Sequence, residues 1–494
     1  MTDQEDERLK SRTARSLKWN VIDRVASQVL YAVTGIVLAR LLSTEDFGLV
    51  GAVLVFQAFA SLLVDSGFSY ALIQRKNPTQ TDYSTVLWFN LGVAVFLYII
   101  LWFCAPLIAD CFQGDRRLIP LSRVMFLSFI INASAIVQTN RLMKKMEVKM
   151  VAVSNSLGLV AAAVVGITLA VYGYGAWAIV WQTLTLGAVK SLVLWTTQHW
   201  LPSLEFSWPA LRSFLGIGSR MMFTSFLNTL FLNIYSFFIG NRAGLSQLGY
   251  YTQSDKWSKM GIMSLSQTLT SSFLPTLSAV QDERERFIRA CSKMNRFTAY
   301  LLFPAMLGLI AMATPIFHLL FDNKWDPSII LFQILLLRGV FTVLTGLYNN
   351  FLLAQGHART IMWMEVLRDS VALIFLAFTL PYIDLQRPGQ PVLGLEIMLW
   401  GQLIASIISW IATLIYTTRF TTTTISSFIK DLLPYLISST VICIGLWKLS
   451  EFIYNPLICL AIQIPSALIV YFLVNKLMGS KIQDDVLGYI RGKI

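Results

Sequence analysis

Apolar blocks of about 20 residues recur along the whole chain, the length a helix needs to cross hydrocarbon at about 1.5 Å per residue. They constrain the fold more than any other feature, because no long polar segment between them leaves room for a separate soluble domain. The composition agrees: 55% of the 494 residues are hydrophobic and 13% are charged, about half the charge of a water-facing chain. The short alternating segments of a β-barrel are absent. The sequence therefore predicts an all-α polytopic membrane protein with about fourteen spans between residues 17 and 477. The leader MTDQEDERLKSRTARSLK reads as cytosolic and not as a cleavable signal peptide, since no small-residue cleavage site closes the apolar run behind it.

The net charge of +12 is scattered through short loops, which argues for membrane orientation and against a nucleic-acid partner. Alternate connections carry about 24 and about six basic residues, and this bias predicts cytoplasmic termini. The poorer set holds Arg40, Arg116, Arg117, Arg242, Lys324 and Arg387. Cys104, Cys111, Cys291, Cys443 and Cys459 show no CxxC spacing and read as packing residues.

The chain also resembles itself. ARLLSTEDFGLVG at the end of span one parallels NRAGLSQLGYY at the end of span seven, pairing Arg40 with Arg242 and Gly48 with Gly249. SRVMFLSFIINASAIVQTNRLMKK parallels LRGVFTVLTGLYNNFLLAQGHAR, pairing Arg123 with Arg338. Two six-span halves and a C-terminal pair follow, with expected boundaries 1–205, 206–420 and 421–494. Six is even, so the halves insert in the same sense, as parallel repeats with a site between them near the midplane.

Polar residues fall in stripes. Span one carries Asn20, Asp23, Arg24, Ser27, Gln28, Tyr31 and Thr34 opposite a valine-rich face. Gln57, Ser61 and Asp65 share a face of span two, Arg220, Thr224 and Asn228 of span seven, and Arg338, Thr342, Thr345 and Asn349 of span ten. Span eight places Thr252, Lys256, Lys259, Gln267 and Thr270 together, with Asp255 adjacent. A charge at the bilayer centre costs about 2.5–3.5 kcal/mol on insertion scales, so these groups face a partner helix or water. For Asp23 and Arg24 both an interhelical ion pair and a cavity lining are open. Cations outnumber acids, which favours an anionic cargo held by Arg24, Arg220, Lys256, Lys259 and Arg338, with Asn228 beside them. Glu365, Arg368 and Asp369 at i, i+3 and i+4 read as a salt-bridge set, with proton or sodium binding as the alternative. Asp23, Asp65, Asp255, Glu365 and Asp369 are the candidates for coupling to H+ or Na+.

Several motifs are missing. There is no GxxxxGK[ST] loop and no HExxH among the three histidines, His199, His318 and His357. GIGSRM at 216–221 lacks a third glycine and precedes no strand. The outer loops are too short to carry a catalytic domain. A transporter without a metal or organic cofactor is expected, not an enzyme.

Three segments carry a family resemblance: TARSLKWNVIDRVASQVLYAVTGIVLARLLSTEDFGLVGAV, DSGFSYALIQRKNPTQTDYSTVLWFN and LGYYTQSDKWSKM. The chain resembles the Wzx-type polysaccharide flippases of the multidrug/oligosaccharidyl-lipid/polysaccharide exporter superfamily, in the branch exporting colanic-acid-like units. The resemblance implies a rocker-switch transporter of two six-helix lobes. Its cargo would be undecaprenyl-pyrophosphate-linked oligosaccharide for exopolysaccharide or O-antigen assembly, moved across a bacterial inner membrane. It maps the cationic cavity of such proteins onto Arg24, Arg220, Lys256 and Lys259. Expected partners are membrane lipids and the polysaccharide polymerase and chain-length machinery, with the flippase itself a monomer. Two other classes compete. A multidrug cation antiporter of the same superfamily would need an acidic or aromatic cavity, and a polysaccharide polymerase or ligase would need a large outer loop.

Overall fold

The computed structural model describes residues 3–490 apart from 66, 67, 199 and 422; the side chains of 3–18, 21, 65, 70, 215, 217–221, 224, 268, 271, 272, 274, 486, 487, 489 and 490 also lie outside the described residues. Helices make up almost all of it, and no strand longer than an isolated bridge, Arg387 to Gln390, occurs among the described residues. The chain divides into two compact units, Met1–Gly249 and Tyr250–Ile494.

The first unit contains α1 (Asp3–Leu41), α2 (Thr44–Asp65), α3 (Phe68–Gln74), α4 (Gln80–Cys111), α5 (Leu118–Met125), α6 (Leu127–Lys144), α7 (Val148–Val171), α8 (Trp177–Gln198) and α9 (Trp208–Phe238). A π-turn, Ile239–Ala243, leads into α10 (Leu245–Ala279), whose first residues belong to this unit. The second unit continues α10 and adds α11 (Arg284–Ala311), α12 (Ala313–Leu320), α13 (Asp326–Ala354), α14 (Ala358–Thr379) and α15 (Leu393–Thr421). It closes with α16 (Ile425–Phe452), α17 (Pro456–Leu477) and α18 (Lys481–Ile490).

Among the described residues, eleven spans are long and apolar enough to cross a membrane, so this is a multi-pass membrane protein. The count of fourteen needs α9, α10 and α14 as well. Of these, α10 carries Asp255, Lys256 and Lys259, and α14 carries Arg359, Glu365, Arg368 and Asp369, charges that lower the apolar signal that defines a span; part of α9 lies outside the described residues. Other departures are local. The charged leader is the start of α1 and not a separate segment. The second expected span ends at Asp65 with α3 following, and the fourth breaks at Phe126 between α5 and α6.

The same helix pairings recur in the two units. In the first, α6 packs on α4 and on α8, and α8 on α7; in the second, α13 packs on α11 and on α15, and α15 on α14. α9 lies against α2, α3 and α4, which places it in the first unit.

Turns on one side of the first unit are pinned by acids. Asp46 accepts from the backbone N–H of Ala176 at 2.8 Å and from the backbone N–H and hydroxyl of Ser43. Arg117 pairs with Glu45 and, at 2.6 Å, with Asp115. The hydrogen bond from Arg117 holds the Asp115 carboxyl below its usual range. A depressed carboxyl adds stability above its unfolded value and loses it as pH falls through its folded one, so this pin opens only in acid.

The two repeat-matched glycines mark a close helix approach in the first unit. A methyl group on Gly48 of α2 would fall inside the Leu245 carbonyl at the start of α10, and one on Gly249 of α10 would fall inside the Thr44 carbonyl at the start of α2. Each glycine is thus buried against the other helix's first turn.

α16 and α17 turn apolar faces outward, with Val441, Trp447, Leu468 and Ile469 exposed. Tyr471 of α17 donates to the Tyr300 carbonyl of α11 at 2.8 Å, and Ser292 of α11 donates to Asp431 of α16 at 2.6 Å. An apolar groove of about 280 Å³ runs between these three helices, lined by Tyr300, Pro304, Ile442, Leu446, Leu468 and Tyr471.

Candidate functional site

α1 packs along α7, and this contact divides the polar stripe of span one. Thr34 is buried and Asp23 and Ser27 are half-buried, whereas Asn20, Arg24 and Tyr31 are exposed. On a helix these are neighbouring faces, one held by α7 and one open. Asp23 accepts from Asn155 of α7 at 3.2 Å and from Ser27 at 3.4 Å. Its side chain does not pair with Arg24, which has no hydrogen-bond or ion-pair partner among the described residues. The interhelical contact and the open face therefore fall to different residues of one stripe, Asp23 to the first and Arg24 to the second.

Other positions in the first unit vary. Gln57 turns to α6 and donates to Ser128 at 3.1 Å, while Ser61 and Asn228 are exposed. Asp65, Arg220 and Thr224 lie outside the described residues.

In the second unit the stripe on α10 also divides, with Thr270 accepting from Asn350 of α13 at 3.2 Å. Lys256 and Gln267 are exposed, while Gln253, Ser254 and Ser258 on the opposite side are buried. Ser254 donates to the Ser328 carbonyl at 2.8 Å, which fastens α10 to α13. Lys259 pairs with Asp255 at 2.6 Å, one turn apart, and the second Asp255 oxygen is buried without a hydrogen bond. Lys256 takes no carboxylate; its ammonium lies 5.5 Å from the centre of the Trp257 ring, a cation–π contact that leaves donors free.

Arg338 is engaged internally. It donates to Gln402 of α15 at 2.9 Å and is half-buried. Arg368 bridges Glu365 at 2.5 Å and Asp369 at 2.8 Å, and Asn349 of α13 donates to Glu365 at 3.4 Å. This cluster is an ion-paired set that ties α14 to α13.

Asn155, Gln402 and Lys190 did not stand out in the sequence. Each sits in a mostly apolar helix and forms no stripe. Lys190 is the sole charged residue of α8, and a lone intramembrane charge is itself a signal. Of the acidic candidates among the described residues, Asp255 pairs with Lys259 and both Glu365 and Asp369 pair with Arg368, whereas Asp23 is held by Asn155 and Ser27. No group of three or more His, Cys, Asp or Glu suited to a metal ion occurs among the described residues.

Residues 37–330 match the family described as Polysaccharide biosynthesis protein. The chain belongs to that family. Its relatives include the succinoglycan biosynthesis transport protein ExoT of Rhizobium meliloti (strain 1021), 24% identical over 72% of either chain. Another is the lipopolysaccharide biosynthesis protein WzxC of Escherichia coli (strain K12), 26% identical over 70% of this chain and 71% of that one. Among solved structures, the fold is similar to the lipid II flippase MurJ in an inward closed conformation, with TM-score 0.70, 16% identity, and coverage of 93% of this chain and 98% of that one. It is also similar to an inward-facing multidrug resistance MATE transporter, with TM-score 0.61, 17% identity, and coverage of 82% and 96%. The protein is thus a multi-pass membrane member of the polysaccharide biosynthesis protein family.

Proposed function

We propose that this chain flips undecaprenyl-pyrophosphate-linked oligosaccharide across a bacterial inner membrane by alternating access, with exposed cations receiving the pyrophosphate. One observation carries the reading: Arg24 and Lys256 lie exposed in the long helices of a multi-pass membrane protein, and neither is paired with a carboxylate. Uncompensated intramembrane charges face water rather than lipid, and a free cation in either unit attracts an anion. A multidrug cation would be repelled by them. Pyrophosphate suits arginine, whose planar fork of donors matches its oxygens. The relatives' names, succinoglycan transport and lipopolysaccharide biosynthesis, support a glycan cargo.

The headgroup is the part that cannot cross hydrocarbon, while the polyprenyl tail can stay in lipid. The apolar groove between α11, α16 and α17 suits such a tail, since its lining is almost wholly hydrocarbon and aromatic. Deleting the gene should make lipid-linked repeat units accumulate in the inner leaflet while surface polymer disappears. Accumulation in the outer leaflet would point to a polymerase and sink the flippase reading.

In this proposal both termini are cytoplasmic, following the loop charge bias. Arg116 and Lys145 are both exposed and lie in loops at opposite ends of α5 and α6. In a cysteine-free background, an impermeant maleimide applied to intact cells should label Arg116→Cys and miss Lys145→Cys. The reverse pattern would invert the orientation.

A further inference from the structure

The segment joining α8 to α9, residues 200–207, inverts the pattern of a water-facing loop. Its polar groups turn inward, onto the first turns of α4. Gln80 donates to the Leu201 carbonyl at 2.7 Å and Trp88 to the Ser203 carbonyl at 2.8 Å. The backbone N–H groups of Ser203 and Ser207 donate to the hydroxyls of Ser84 and Thr85, at 2.9 and 3.1 Å. Glu205 accepts from Thr81 at 2.8 Å, and Trp200 is buried in the core that joins α3, α4 and α9.

The large side chains turn outward instead. Leu201, Leu204 and Trp208 are 76%, 89% and 71% exposed, and Phe206 is exposed with its ring edge-on to Trp208, 5.6 Å between centres. Burying one Leu or Phe side chain stabilises by about 1.5–3 kcal/mol, so a row of four left in water is a costly surface. Irregular backbone can sit at membrane depth only where protein holds its hydrogen bonds, and here α4 holds them. The span α8 ends at Gln198 and α9 begins at Trp208. The segment therefore lies where hydrocarbon gives way to headgroups, the zone in which aromatic side chains collect. Its rim is cationic. Arg212, one turn beyond Trp208, is exposed, and Arg75, which pairs with Asp82 at 3.1 Å, lies 5.0 Å over the Phe214 ring. Cations beside an apolar face complement the anionic phosphates of phospholipids.

We propose that residues 200–208 form an interfacial anchor. Leu201, Leu204, Phe206 and Trp208 enter the acyl chains of one leaflet, and Arg212 meets its phosphates. The partner is the phospholipid bilayer itself. A soluble protein could reach this face only by entering the headgroup layer. The anchor fixes the depth of the segment that leads into α9, and it needs no assumption about cargo.

Collisional quenching tests the placement. In a cysteine-free background, Leu204→Cys is labelled with bimane in the full-length protein and reconstituted into phosphatidylglycerol nanodiscs, which leave both faces open to water. Lipids brominated near the top of their acyl chains quench a label that touches them, and iodide quenches one in water. The reference label is at Lys145→Cys, in the exposed α6–α7 turn at the same end of the first unit. Brominated discs should dim the Leu204→Cys label at least about twofold, and iodide should dim it at least about threefold less than the reference. Leu201→Cys should behave in the same way, which controls for a local disturbance by one label. Quenching of both positions by iodide and not by brominated lipid would overturn the proposal and make this face a docking site for a soluble partner. Quenching by neither agent would overturn it as well, because the segment would then be covered by protein.

Discussion

Gly48→Leu is expected to yield no stable folded protein, and Gly48→Ala a protein with a lower melting midpoint in detergent. Gly48 and Gly249 each lie where a methyl group would overlap a main-chain carbonyl of the other helix, Leu245 for one and Thr44 for the other. Neither carbonyl can step aside cheaply, because each belongs to the first turn of a helix, where its position sets the hydrogen bonds that follow. Overpacking a tight contact usually costs about 1–3 kcal/mol, and a side chain driven into backbone sits at the top of that range or beyond it. Gly249→Ala should match Gly48→Ala, since the two contacts are reciprocal. Gly92, with nothing within 4 Å of an added methyl, is the control: in a helix interior Gly→Ala stabilises by about 0.5–1 kcal/mol. Equal melting of Gly48→Leu and wild type would mean that the α2–α10 contact does not hold the protein in this form.

These two glycines show what the sequence could and could not tell. Their correspondence was legible, because ARLLSTEDFGLVG and NRAGLSQLGYY share an order of features. That each packs on the other was not, since a repeat reveals equivalence and not contact. The helical class and the apolar spans followed from hydropathy alone. The spans hardest to count included those with the most charged faces, α10 and α14, since charged side chains dilute the apolar signal that marks a span.

The stripes show the same limit. On α10 the stripe predicted from spacing is divided: Lys256 and Gln267 are exposed, while Thr270 accepts from Asn350 of α13 at 3.2 Å. On α1 a seven-residue stripe turned out to be two faces, because periodicity gives the angle of a side chain and not which neighbour covers it. Arg338 lies on a stripe by spacing and is engaged by Gln402. Lys190 and Asn155 were invisible to a search for stripes because each is a single polar residue on its helix face. Partners on distant helices decide such cases, and one sequence does not reveal them.

The second large effect concerns the free cations. Arg24→Ala should insert at the wild-type level yet export at least about tenfold less polymer, the worth of one charge-assisted contact of roughly 1.5–3 kcal/mol. Stability should hardly change, since the side chain is exposed and pairs with nothing among the described residues. Lys256→Ala should behave alike but more mildly, because a lysine gives a point charge where arginine gives a fork, and Arg24→Lys should fall between Arg24→Ala and wild type. The most direct measurement uses purified protein in proteoliposomes loaded with lipid-linked oligosaccharide extracted from the deletion strain. It follows the fraction of sugar that becomes accessible to an impermeant oxidant outside. Wild-type protein should raise that fraction well above protein-free liposomes, with Arg24→Ala and Lys256→Ala slower. Cargo trimmed to a monophosphate should move more slowly than the pyrophosphate. Wild-type liposomes no faster than empty ones, or both alanine variants as fast as wild type, would contradict the account.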